Sequence, residues 1–183
     1  MLLNKKERIM GTKKPLIVSV LGWSDSGKTS LIEAAIAECV LRSIPTAALK
    51  KSHNAASLQP DTKDSSRFLK AGAEPSIYLS ESEILILKKA PSRIDKKAIA
   101  ALCPDAFIIF CEGLEVEGAI RVLAAGDATD EKELKRRLTD IDILIARNAA
   151  LLTTAIGRKI KSFKPDGINP FIDYLIVLEG SHD

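Results

Sequence analysis

Residues 22–29 read Gly-Trp-Ser-Asp-Ser-Gly-Lys-Thr, a complete GxxxxGK[ST] pattern set between an apolar run and an amphipathic helical pattern. In such a loop the flanking glycines let consecutive backbone N–H groups turn inward around phosphate oxygens. The helix N-terminus behind it adds a partial positive charge. Lys28 is placed to reach the β- and γ-phosphates of a nucleoside triphosphate, and the Thr29 hydroxyl a magnesium ion. Gly22, Trp23, Ser24, Asp25, Ser26, Gly27, Lys28, Thr29 and Ser30 are therefore the candidate phosphate-binding residues.

A phosphate loop needs an acid to hold the metal or orient water. Glu112 stands directly after the apolar run Phe107–Cys111 and before Gly113, the position of a Walker B acid. Its carboxylate either meets magnesium or an attacking water, or is a charge that ends a strand. Asp64, in a polar stretch with Lys51, His53, Asp61 and Lys63, is the second acid: a ligand to metal or water on one reading, a solvated first-turn residue on the other. Trp23, the only tryptophan, could stack on a base or cover the loop as an apolar lid. Arg147 and Asn148 follow an apolar run, where a base contact or a helix cap is equally consistent. No Asn-Lys-x-Asp guanine signature stands there.

These side chains need a scaffold, and the hydropathy pattern supplies it. Leu16–Leu21 is an apolar run, the first core strand, and 106–111 is a continuous one, as expected of a parallel strand covered on both faces. Leu31, Ile32, Ala35, Ile36, Cys39 and Val40 form one stripe of a helix from Lys28 to about Ser43. Further strands are expected at 44–50, 76–79 and 141–146, with 84–87 another apolar run and 119–124 beside 106–111. Helices are expected at 62–71 with Gly72 as C-cap, at 92–102 with Ser92 as cap, and at 129–138. A last helix opens on Asn169-Pro170. Strands alternating with helices predict a three-layer α/β fold of the P-loop NTPase type with a mostly parallel sheet, ligands lying at the carboxyl ends of the strands.

The chain has 183 residues, which suits one nucleotide-binding domain across 1–183, with residues 1–14 a flexible basic segment. Net charge is only +3, and the Lys-rich start accounts for more than that, so nucleic acid is not implied. No apolar run is long enough to span a membrane and no signal-peptide cleavage pattern is present, so a cytoplasmic location is expected. The three cysteines and two histidines lack metal-binding spacing; Cys39, Cys103 and Cys111 sit in apolar patterns as small hydrophobes.

Taken together, three blocks make the chain resemble the MobB family, P-loop proteins of molybdopterin-guanine dinucleotide biosynthesis. They are the loop Gly22–Thr29; the stretch Lys50–Ala73 with Lys50, His53, Lys63-Asp64-Ser65 and Lys70-Ala71-Gly72-Ala73; and Asp105 with the strand ending in Glu112-Gly113. The resemblance implies GTP and magnesium binding, weak GTP hydrolysis, a homodimer, and service as an adaptor to a molybdopterin guanylyltransferase. The chain departs from the family pattern in two places. Lys51-Ser52-His53-Asn54-Ala55-Ala56 stands where a His-rich acidic stretch is usual, and Leu114-Glu115 replaces an aromatic and basic pair. Two other functions fit the loop alone: an ATP-dependent small-molecule kinase, and a nucleotide-stabilised interaction module without catalysis.

Overall fold

The computed structural model describes residues 14–52, 63–126, 132 and 136–180. The basic start up to residue 13, His53, Asp61 and most of the expected helix at 129–138 lie outside the described residues. The chain forms two compact units, Met1–Lys51 with Asp95–Asp183, and Ser52–Ile94.

The larger unit is built on a six-stranded parallel sheet in the order β2-β5-β1-β6-β7-β8. The strands are β1 (Leu16–Leu21), β2 (Thr46–Lys50), β5 (Ile108–Glu112), β6 (Ile120–Ala125), β7 (Ile143–Ala146) and β8 (Lys161–Phe163). Side chains alternate between the two faces, and helices cover both. On one face Val18, Val20, Ile108, Phe110, Val122 and Ile145 meet α1 (Lys28–Leu41) and α5 (Ile168–Gly180). On the other, Ile17, Ile109 and Cys111 meet Ile99 of α3 (Lys96–Leu102), while Leu123, Leu144 and Ala146 meet Leu151 and Ala155 of α4 (Ala149–Gly157). Strands enclosed on both sides are largely apolar, which is why 108–111 and 143–146 run without a polar residue; the buried Ser19 of β1 is accommodated because its hydroxyl accepts from the Val116 N–H at 3.3 Å. The α1 stripe buries Leu31, Ile32, Ala35 and Cys39; each large aliphatic side chain taken out of water contributes about 1.5–3 kcal/mol. That burial fixes the helix whose first turn carries the loop residues.

Several boundaries differ from expectation, each for a local reason. The third helix starts at Lys96 rather than after Ser92, because the Asp95 carboxylate caps it, accepting from the Ala98 N–H at 2.9 Å. Capping there phases Ile99 onto the core. The last helix starts at Ile168, so Asn169-Pro170 lie inside its first turn; the missing N–H of Pro170 would have had no helical partner there in any case. The strand at 120–125 does not neighbour 108–112. It pairs with β1 (Val18↔Ile120, Val20↔Val122), and β1 separates the two.

The smaller unit holds α2 (Lys63–Lys70) and the antiparallel pair β3 (Ser76–Leu79) and β4 (Ile84–Leu87). Gly72, at φ +108°, closes α2 as expected: its N–H donates to Leu69 O and that of Ala73 to Phe68 O. In the hairpin Ile77 opposes Ile86 and Leu79 opposes Ile84, and all four side chains are exposed on one face. Among the described residues no helix is long and apolar enough to cross a membrane.

Candidate functional site

The loop leaves β1 at its carboxyl end and returns into α1. Gly22 has φ +151°, and a Cβ built there would lie 2.5 Å from both Ala124 O and Ser26 Oγ, so only hydrogen fits. Asp25 and Gly27 also have positive φ, at 58° and 84°. Left-handed residues at this spacing curl a backbone so that its amides face one side. Gly27 caps α1, and its carbonyl accepts from the Leu31 N–H at 2.9 Å. The half-buried Lys28 folds its ammonium across the loop and donates to Trp23 O. Ser26 Oγ is shut away from solvent without a hydrogen-bond partner among the described residues, a polar atom left to the loop interior.

Glu112 joins this loop through sheet register. It lies opposite Val20 of β1 on one side and Lys50 of β2 on the other. The Thr29 hydroxyl donates to Glu112 Oε2 at 3.0 Å, and Lys50 Nζ lies 3.1 Å from Glu112 Oε1. The carboxylate is only 13% exposed while Lys50 is 65% exposed. An ion pair so open on one side contributes at most about 1 kcal/mol to stability, so its interest is chemical. Ser24–Ser30, Lys50 and Glu112 line a groove of about 430 Å³, a volume within the range of small-molecule sites. Two cations and the backbone of the loop suit an anionic phosphate chain, while the hydroxyl–carboxylate pair suits a metal ion that would accompany it. The Thr29 and Glu112 oxygens are hard donors of the type magnesium takes one or two of, the rest of its shell being water and phosphate.

Most of the other candidates have partners of their own. Trp23 packs over the core formed by β6, β7 and α4, with the Arg137 guanidinium 5.0 Å from its ring centroid. Its ring lines neither the groove nor the cavity beside it. Asp64 belongs to the smaller unit, on the first turn of α2, where it pairs with Arg67 at 3.1 Å. Asn148 is a cap: its side chain accepts from the Ala150 N–H at 2.8 Å and opens α4. Arg147 instead lines a cavity beside the loop. Burial pushes the Cys111 thiol up to about 11, with Cys103 adding to the rise, and raises Cys39 and Cys103 as well; none is a ready thiolate. Two site residues were not singled out by type or spacing. Lys50 reaches Glu112 only because β2 pairs with β5, and Asp166 lines the Arg147 cavity from a turn beyond β8.

Comparison with known proteins bears on the family and the fold. The family model for molybdopterin guanine dinucleotide synthesis protein B matches residues 17–147. A Haemophilus influenzae protein named molybdopterin-guanine dinucleotide biosynthesis adapter protein is 27% identical over 153 residues, covering 82% of this chain and 83% of that one. Among solved structures, Bacillus subtilis MobB superposes with a TM-score of 0.63 at 19% identity, over 89% of this chain and 96% of that one. A molybdopterin-guanine biosynthesis protein B structure gives 0.61 at 21% identity, over 90% and 99%.

Proposed function

The chain belongs to the molybdopterin guanine dinucleotide synthesis protein B family, and from that premise we propose that it binds GTP with magnesium, hydrolyses it slowly, and acts as an adapter in molybdopterin-guanine dinucleotide biosynthesis, serving the guanylyltransferase that attaches GMP to molybdopterin. The observation that carries the nucleotide part is the meeting of Thr29, Glu112 and Lys50 at the open face of the loop.

In this reading the amides of residues 24–29 and the Lys28 ammonium hold the β/γ oxygens and favour the charge that develops on them. Thr29 and Glu112 would hold magnesium, which when bound neutralises charge between the β- and γ-phosphates. Glu112 also accepts from a water placed beside the γ-phosphate. Asp64 is the second acid proposed for water or metal. Slow turnover follows from the groove's lining, which among the described residues carries no arginine; a guanidinium supplied to the transferring phosphoryl group is worth roughly 10³–10⁵ in rate. We also propose a cytoplasmic homodimer.

The nucleotide reading is tested by thermal shift with GTP, ATP and inorganic tripolyphosphate, each with and without magnesium. GTP with magnesium at about 100 times its Kd should add roughly 2.7 kcal/mol of stability. Turnover should stay slow without the guanylyltransferase. No shift with any triphosphate would overturn the proposal, and product that depends on a small-molecule acceptor would point to a kinase instead.

Support for the homodimer is the hairpin face of Ile77, Leu79, Ile84 and Ile86. Four aliphatic side chains in two cross-strand pairs suit a self-complementary contact. Sedimentation should find a dimer, and Leu79→Lys a monomer. A wild-type monomer across the concentration range, or a Leu79→Lys dimer as tight as wild type, would refute this contact.

A further inference from the structure

The strand order sets a direction along the loop. Glu112 and Lys50 lie on the β5–β2 side of β1, whereas β6, β7 and β8 lie on the other. A triphosphate with its metal-holding end at Thr29 and Glu112 therefore sends its nucleoside out past Ser30, toward β6–β8. A cavity of about 450 Å³ occupies that side and shares Asp25, Ser26, Gly27 and Ser30 with the phosphate groove. Leu31, Ala124, Ile145 and Pro165 give it an apolar floor, as a purine face requires. Its two other charged groups are Arg147, just beyond β7, and Asp166, in the turn between β8 and α5. Both are exposed, and among the described residues neither has a hydrogen-bond or ion-pair partner.

We propose that Asp166 is the base-reading residue of this chain and selects guanine over adenine, with Arg147 as its companion on the base; this rests on the loop holding a nucleoside triphosphate. A carboxylate accepts hydrogen bonds and donates none. Guanine offers it two adjacent donors, the ring N1–H and the exocyclic amine, a match for two carboxylate oxygens. Adenine presents a ring-nitrogen lone pair at the same place, which opposes the carboxylate. The Arg147 guanidinium suits the rest of guanine: a planar donor that can stack on the ring or bond to the carbonyl oxygen that adenine lacks.

The test is calorimetry on the full chain with magnesium and four titrants: GTP, ATP, xanthosine triphosphate and inorganic tripolyphosphate. Wild type should favour GTP over ATP. Asp166→Asn should weaken GTP by about 10- to 100-fold, the worth of one bidentate base contact. It should gain affinity for xanthosine triphosphate, whose C2 carbonyl meets the new amide N–H, and leave tripolyphosphate unchanged. Rescue by the altered base separates base reading from a folding defect, and the exposed position of Asp166 makes a misfolded Asn variant easy to recognise by its melting temperature. If GTP and ATP bind wild type alike, or Asp166→Asn leaves the base ranking unmoved while tripolyphosphate still binds, the base assignment is wrong and the phosphate reading survives. If nothing binds wild type, tripolyphosphate included, both fall together.

Discussion

Lys28→Ala is expected to lose triphosphate affinity by about two orders of magnitude or more while the protein stays folded. A charged hydrogen bond is worth roughly 1.5–3 kcal/mol, and an ammonium lying over the loop can serve oxygens of two phosphates at once. The sum corresponds to about a hundredfold or greater change in Kd. In the fold itself Lys28 spans its own loop and donates to Trp23 O. Losing that bond should cost about 1 kcal/mol, because the carbonyl it leaves still accepts from the Ser26 N–H at 3.4 Å. Calorimetry with GTP and magnesium measures the first effect and thermal unfolding the second. Affinity within a few-fold of wild type would mean that the loop is not the phosphate site, and the reading of Thr29 and Glu112 would lose its foundation.

How far such effects were legible in the chain depends on how local their causes are. The loop, β1, α1 and β5 declare themselves, since glycine spacing and apolar runs act within a few residues of where they stand. Lys50 does not, for its approach to Glu112 is set by β2 lying against β5 in register, a pairing between segments about sixty residues apart. The neighbour of β6 was hidden for the same reason: an apolar run shows that a strand is buried, not which strand lies beside it. Helix α4 was obscured by Thr153 and Thr154, poor helix formers whose hydroxyls donate back to Ala149 O and Ala150 O at 2.9 Å. Strand β8 is three residues on the sheet edge, reading Lys-Ser-Phe, too short and too polar for any periodicity. Asp166 follows that edge, so its place beside the loop could emerge only from the assembled sheet.

Gly22→Ala is expected to be the most damaging single methyl in the larger unit, destabilising it by about 2–4 kcal/mol, the sum of overpacking and an unfavourable backbone angle. The added carbon would sit 2.5 Å from Ala124 O and from Ser26 Oγ. The serine could rotate, but the carbonyl belongs to β6, which is held by β1 on one side and β7 on the other. The loop must therefore move, and its amides with it. Triphosphate affinity should fall together with stability, and the melting temperature should drop by about 4–16 °C for a chain of this size. Gly27→Ala is the control, because its Cβ would meet nothing within 4 Å. Only its φ of +84° opposes the change, at a cost of roughly 1 kcal/mol. A larger loss at Gly27 than at Gly22 would mean that left-handed backbone, not the close approach of β6, holds the loop in shape. Equal and small losses at both would mean that the loop reshapes freely, and a site preorganised around phosphate would have to be abandoned.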